Sequence, residues 1–319
     1  MTAVQEKSTP SNGHPWPMIS DYCMSLPDDV IAGEQRRKTT QGQPIADGSA
    51  LEPPLVSVIT VVFNNETHLD RAMQSVFSQT YPNIEYILID GGSTDGTVDV
   101  IRRHSDRLSY WHSRKDKGIS DAFNSGVALA RGKYVALVNS DDWMEPDQVA
   151  NAVAALEETG ADFVFGDLVY HEPSGQPLFR ARGDAYYKKR IRFRMPIMNH
   201  PTVVASRDTY EKIGLFDLEW KVAMDYDWLL RVDLGGRRGV YAESVCGHMA
   251  LAGISDAQWD RSYLEVLAIL KAHGIRSWKA LCHAGYAITK GKIRRVAEKA
   301  VGQSLILRLR PLFNRALHW

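Results

Sequence analysis

The chain has 319 residues, 44% of them apolar and 9% aromatic, enough to bury a sizeable core in one large domain or two smaller ones. Lys plus Arg and Asp plus Glu both number 38, so no net charge draws the whole chain toward nucleic acid or an acidic surface. Three cysteines, Cys23, Cys246 and Cys282, are too few and too scattered for a disulfide framework or a zinc site, and they fit a reducing compartment.

The N-terminal stretch lacks the charged start and apolar run of a signal peptide, and no apolar run nears the roughly 18 residues that cross a bilayer. A cytoplasmic location is expected, compatible with peripheral attachment to the inner face of the plasma membrane. Residues 1–54 are rich in Pro, Gly, Ser, Gln and Asp with little periodicity, which predicts a mostly disordered or loosely docked extension. The ordered fold is expected to begin near Leu55. "LVSVITVVF" (55–63), "IEYILID" (84–90) and "KYVALVNS" (133–140) are short β-branched runs of the kind that fill a parallel sheet covered on both faces. Between them, 68–79, 97–105 and 118–130 have helical amphipathicity, and strand alternating with helix predicts an α/β fold. A further strand is expected over 161–171 and helices with an intervening turn over 209–235. After about Ser255 the character changes to helix formers, at 261–274 and 277–288.

In parallel α/β sheets, ligands gather beyond the carboxyl ends of the strands. The polar residues concentrate there: "NNE" (64–66) after the first strand, "DGGSTDGT" (90–97) after the second and "NSDDW" (139–143) after the third. Asp90 precedes two glycines that permit a sharp turn, and it reads equally as a turn-forming or capping aspartate. Asp141 and Asp142 are neighbours whose mutual repulsion a cation would relieve, and such hard oxygen ligands suit magnesium or manganese on a diphosphate. "DDWMEPD" also reads as a solvated turn or a helix start.

These pieces together carry a resemblance. "VSVITVVFNNETHLDRAMQSVFSQTYPNIEYILIDGGSTDGT", "DKGISDAFNSGVALARGKYVALVNSDDW", "HPTVVASRDTYEKIGLFD" and "AMDYDWLLRV", in this order from Val56 to about Ser255, resemble the family 2 glycosyltransferases, nucleotide-sugar enzymes with the GT-A fold. The resemblance implies a Rossmann-like, mainly parallel mixed sheet flanked by helices over 55–255; beyond it, the helix formers and bases of the sequence itself predict a helical basic segment over 256–319. It further implies that Val61, Phe63 and Asn64 hold the nucleobase and that Asp90 hydrogen-bonds it. Asp116, Lys117, Gly118, Asp121 and Asn124 match a donor-contacting stretch, although "DKGISDAFN" is also a plausible turn and helix start. Asn139 and Asp141 occupy the family's Asp-X-Asp motif, with Asp141, helped by Asp142, holding Mg2+ or Mn2+ on the donor diphosphate; Asn139 departs from the usual first aspartate and Phe63 from a frequent tyrosine. "MDYD" matches the segment that supplies the catalytic base. Met224 stands where a glutamate is usual, leaving Asp225 as the base, or as a helix N-cap, or as both. His200 lies near the expected acceptor side and reads equally as a structural histidine. "AGIS" (252–255) resembles a donor-closing loop and also an ordinary glycine turn.

From residue 271 onward, eleven Lys or Arg face the single acid Glu298, leaving the first 270 residues net negative by about ten. Residues 290–319 interleave these bases with Leu, Ile and Phe, as expected of a helix lying on an anionic membrane surface or packing on the domain. With the rest acidic and no binding module present, nucleic acid is not an expected partner. The expected activity is inverting transfer of a sugar from a nucleotide diphosphate sugar to a hydroxyl of a glycan or lipid-linked glycan, in cell-surface polysaccharide synthesis. The rival is a non-catalytic nucleotide-sugar or glycan-binding protein on the same fold. A nicotinamide oxidoreductase is disfavoured, since no GxGxxG turn follows the first strand.

Overall fold

A computed structural model describes residues 16–22, 31–32, 39–40, 53–172, 175–250 and 259–301. In chain order the strands are β1 (Ile31–Ala32), β2 (Val56–Val62), β3 (Ile84–Asp90), β4 (Tyr110–Ser113), β5 (Tyr134–Asn139), β6 (Asp142–Met144), β7 (Phe163–His171), β8 (Pro177–Ala181), β9 (Val204–Ser206) and β10 (Gly239–Ala250). The helices are α1 (Ile19–Tyr22), α2 (Glu66–Phe77), α3 (Thr97–Arg103), α4 (Ile119–Leu129), α5 (Gln148–Thr159), α6 (Arg207–Ile213), α7 (Met224–Leu234), α8 (Trp259–Ala272) and α9 (Trp278–Val301).

All the strands join one sheet in the order β1-β4-β3-β2-β5-β9-β7-β10-β6, with β8 beside β7. Strands β4, β3, β2 and β5 run parallel, β9 reverses direction between β5 and β7, and β6 returns antiparallel on β10. The near-continuous apolar runs are explained by burial on both faces. Ile59, Val61, Ile87, Ile89, Val135 and Leu137 enter the core under α4, α6, α7 and α8. Val56, Val58, Tyr86, Leu88, Ala136 and Val138, alternating with them, enter the core under α2, α3 and α5.

Several elements were not expected from the sequence. The strands β4, β6 and β9 are three or four residues long and carry too little pattern to detect. The "DDWMEPD" stretch does not open a helix. Asp142 instead begins β6, and α5 starts only at Gln148 with Asp147 as N-cap. The described parts of residues 1–54 are docked rather than loose: Ile31 and Ala32 pair with β4, and the buried Thr40 donates its N–H to Ile84 O at 3.0 Å.

Helix α7 is anchored by a buried ion pair. Arg231 Nε donates to Asp227 Oδ2 at 2.9 Å while its other nitrogens donate to the carbonyls of Ile213 and Leu215, and His273 Nε2 lies 2.8 Å from Asp227 Oδ1. Burial pushes the Asp227 carboxyl up, but His273 and Arg231 more than offset it and hold the group below the usual range. Asp227→Ala would leave the Arg231 charge buried without its counter-ion. A loss of about 3–5 kcal/mol is expected, read as a lower urea midpoint at unchanged slope.

Candidate functional site

The register of the central strands builds one edge. Val62 is paired with Asp90 on β3, and Val61 with Asn139 on β5, so the carboxyl ends of three parallel strands finish side by side. Their loops are tied to one another. Asn65 Nδ2 donates to Ser140 Oγ at 2.9 Å, Asn64 N–H donates to Ser93 Oγ at 2.7 Å, and Thr94 N–H donates to Asn64 Oδ1 at 2.8 Å. Asn64 sits at φ 47°, in the left-handed region, a conformation that asparagine tolerates better than most. Beside it, Phe63 is 63% exposed, whereas Val61 lies in the core.

Asp90 is buried and fully bonded: it accepts the N–H groups of Gly92 and Ser93 at 3.1 and 2.9 Å and the hydroxyls of Ser93 and Ser113. These bonds are those of a turn-forming aspartate. Across from this turn stands Asp116, so close that a Cβ on Gly91 would lie 2.8 Å from its carboxylate. Burial, with the charges of Asp121 and Asp90 adding to it, raises the Asp116 carboxyl above its ordinary range.

Asp116 Oδ1 accepts the Gly118 N–H at 2.8 Å, and Asp121 Oδ2 accepts the Lys117 N–H at 3.0 Å, shaping the turn that starts α4. Gly118 takes φ 112°, which a side chain would resist. Lys117 is exposed. The expectation that Asn124 contacts a donor does not hold. It is 0% exposed, and its amide donates to Phe216 O and accepts Phe216 N–H, both at 2.8 Å, so it clamps α4 to the segment before α7.

Asn139, Asp141 and Asp142 divide their labour. Asp141 is partly exposed, while Asp142 is buried, with its Oδ2 accepting Asn139 Nδ2 at 2.9 Å. Burial, then the Asp141 charge, raises the Asp142 carboxyl well above its usual range. Two buried oxygens, Asn139 Oδ1 and Asp142 Oδ1, have no hydrogen-bond partner. Such oxygens normally find one, and a divalent cation with its water shell fits the deficit. The described residues contain no group of three or more acidic, His or Cys side chains able to cage a metal alone. An ion shared with phosphate oxygens needs only one or two carboxylates.

Asp225 lies in the first turn of α7 rather than at its N-cap, which is Ala223. Its Oδ1 accepts the Tyr226 N–H at 2.8 Å, and burial pushes its carboxyl up to about 6, with the Glu265 charge adding to the rise. Preceding Asp225, Met224 Sδ receives the Ser120 hydroxyl at 2.8 Å. This contact joins the start of α7 to the start of α4, next to Asp121. His200 packs edge-on against Phe123 and Phe216, and burial lowers it to about 4, the setting of a neutral structural histidine.

Other contributors have no signal in the sequence. Glu265 on α8 accepts the N–H groups of Val222 and Ala223 at 2.8 and 2.9 Å and so caps α7 from another helix. Arg71 places its guanidinium 3.6 Å from the Trp143 ring and donates to Asp141 O at 3.3 Å. Trp143 stacks on His248, whose Nε2 lies 2.6 Å from Glu145 Oε1. The "AGIS" loop lies outside the described residues.

Residues 57–213 match the profile of "Glycosyl transferase family 2". An uncharacterized glycosyltransferase of Mycobacterium tuberculosis is 34% identical over 184 residues, covering 57% of this chain and 70% of that protein. The "PGL/p-HBAD biosynthesis glycosyltransferase" of Mycobacterium bovis is 29% identical over 231 residues, 70% of this chain and 88% of its own length. Glycosyltransferase GlyA of Streptococcus pneumoniae is 34% identical over 137 residues, and the match spans 42% of this chain but only 20% of GlyA. In fold, the chain is similar to the mannosyltransferase PcManGT of Pyrobaculum calidifontis, solved with GDP-Man and Mn2+ (TM-score 0.55, 19% identity, covering 93% of this chain and 85% of that one). It is also similar to S. aureus TarS 1–349 in complex with UDP-GlcNAc (TM-score 0.52, 18% identity, covering 67% and 66%). The fold is GT-A, and the chain belongs to glycosyl transferase family 2.

Proposed function

We propose that this protein is an inverting glycosyltransferase that moves a sugar from a nucleoside diphosphate sugar to a hydroxyl of a glycan or lipid-linked glycan, in cell-surface polysaccharide synthesis. The observation that carries the reading is the shared edge: Asp90 and Asn139 flank the end of β2 in register, Asp116 stands against Gly91, and the Ser120 to Met224 contact joins the start of α7, where Asp225 follows Met224, to the start of α4. The nucleoside stacks near the exposed Phe63, with Asn64 and Asp90 shaping its loop. Asp116 and Lys117 face the donor from the α4 turn. Asp141, with Asn139 and Asp142 behind it, would hold a divalent cation, which would supply positive charge against the diphosphate. The nucleotide sugars and Mn2+ bound in the fold neighbours support this ligand class.

Asp225 takes the proton of the acceptor hydroxyl as that oxygen attacks the anomeric carbon, while the bond from this carbon to the diphosphate oxygen breaks and the nucleoside diphosphate leaves with the bonding electron pair. At about 6, its carboxyl is ionised at neutral pH yet basic enough to accept a proton. One displacement inverts the anomeric centre. Hydrolysis of UDP-GlcNAc and of GDP-mannose, each with and without MnCl2, tests the proposal. Manganese-dependent release of UDP or GDP supports an enzyme. Binding of either nucleotide sugar without turnover favours the non-catalytic reading, to which Asn139 and Met224, departing from the family pattern, lend weight.

Attachment to a membrane surface belongs to the same reading. No described helix is long and apolar enough to cross a membrane. Helix α9 turns Ala280 and Ala284 inward and exposes Trp278, Leu281, Tyr286 and Ile293, with Lys279, Lys290 and Lys292 also exposed. Aromatic and aliphatic groups bordered by lysines suit an anionic lipid interface. Replacing Trp278 and Tyr286 together by Ala is expected to weaken co-sedimentation with phosphatidylserine vesicles about tenfold. Unchanged sedimentation removes the membrane attachment. Residues 302–319 of the basic segment lie outside the described residues.

A further inference from the structure

The stretch that matches the family starts at residue 57, yet a piece of chain before it reaches the site. Residues 16–22 run across the segment between α6 and α7. Leu215 donates its N–H to Pro17 O at 2.8 Å, and Trp16 lies over the Arg231 guanidinium, 4.8 Å from its ring centre. Gly214, at φ 86°, leaves the room this passage needs, since a Cβ there would lie 2.4 Å from Trp16 Cδ1. Asp21 Oδ2 accepts the Met18 N–H at 2.9 Å and closes the short turn of α1.

This docking delivers Tyr22 to α4. Its hydroxyl donates to Asp121 Oδ1 at 2.6 Å and accepts Asn124 Nδ2 at 3.3 Å. The other oxygen of Asp121 holds the Lys117 N–H at 3.0 Å, and Asp116, one residue before that lysine, holds the Gly118 N–H. A series of hydrogen bonds thus runs from the N-terminal segment, through one carboxylate, into the backbone of the turn at the sheet edge. Hydrogen bonds to a carboxylate are the stronger kind, and the burial of Tyr22 keeps its hydroxyl protonated and donating.

We infer that Tyr22 is a positioning residue for the donor: through Asp121 it fixes the 116–118 turn, and residues 16–22 are a strap that completes the site from outside the family domain. The inference rests on the donor reading of that turn. Tyr22→Phe tests it, because the ring stays packed and only the hydroxyl is lost. Backbone amide exchange over 114–122, measured on the full chain without ligand, is expected to speed up in Tyr22→Phe, and to show no further increase when Tyr22→Phe is added to Asp121→Ala. Affinity for UDP or GDP in the presence of MnCl2, titrated by calorimetry, is expected to fall about fivefold to tenfold. Unchanged exchange in Tyr22→Phe overturns the inference, as does an effect of the same size in the Asp121→Ala background. A wild-type chain that binds neither UDP nor GDP overturns the donor reading instead, while the exchange data still decide the link from Tyr22 to Lys117.

Discussion

Asp225→Asn is expected to slow sugar transfer by about 10²- to 10⁴-fold, the usual contribution of a general base, and at neutral pH to leave the fold more stable than before. The two effects share one cause. Burial, aided by the Glu265 charge, lifts the Asp225 carboxyl from 3.8 to about 6, against the pull of the Tyr226 N–H. A folded-state value above the unfolded one means that the protonated form is favoured by folding. That contribution is complete below about pH 4 and is lost as pH rises through about 6. Above pH 6 the folded chain therefore carries a disfavoured carboxylate, which asparagine removes. Melting temperatures of wild type and variant should agree near pH 4 and separate by pH 7.5 in favour of Asn. The wild-type rate should rise with pH through about 6 as the base ionises. A variant that lost stability and rate together would mark Asp225 as structural, as Asp227 is.

The sheet was legible because its central strands are buried on both faces and so carry an uninterrupted chemical signature. "VSVITVV", "IEYILID" and "YVALVN" appear as strands within a residue or two of where they were expected. The gathering of polar residues at one edge was legible for a related reason: parallel strands in register end side by side, so the polar residues directly after such runs collect there. What failed was the assignment of individual side chains. Asn124 has the composition of a ligand contact, yet Phe216 consumes its amide from 92 residues away. Asp90 keeps its place in the register and spends its oxygens on Ser93 and Ser113. Glu265, Arg71 and Tyr22 act across gaps of 43, 70 and 99 residues. No periodicity or spacing encodes such pairings, because they are set by how helices pack after the sheet has formed. The neighbours Asp141 and Asp142 look equivalent as letters. They part because the chain re-enters the sheet at Asp142, where β10 pairs with it and closes it off from solvent.

That difference sets up a contrast between the two carboxylates. Asp141→Ala is expected to weaken UDP or GDP binding about 10²- to 10³-fold when MnCl2 is present, the scale of losing several kcal/mol of charge neutralisation. With EDTA in place of manganese, Asp141→Ala should bind the nucleotide as well as wild type or slightly better, since the side chain then has no cation to hold and adds only repulsion toward phosphate. Asp142→Asn should lose less. Its side chain is 1% exposed and bonded to the Asn139 amide, so it acts on the cation from behind the partly exposed Asp141. Arg71 bears on both, because its charge acts on both carboxylates while its guanidinium lies 3.6 Å from the Trp143 ring. Calorimetric titrations of the three proteins, each with manganese and with EDTA, separate the possibilities. An Asp141→Ala loss of equal size with manganese and with EDTA would show that the residue shapes the loop and does not hold a cation. A larger loss in Asp142→Asn than in Asp141→Ala would move the cation inward, onto the two unpartnered oxygens of Asn139 and Asp142.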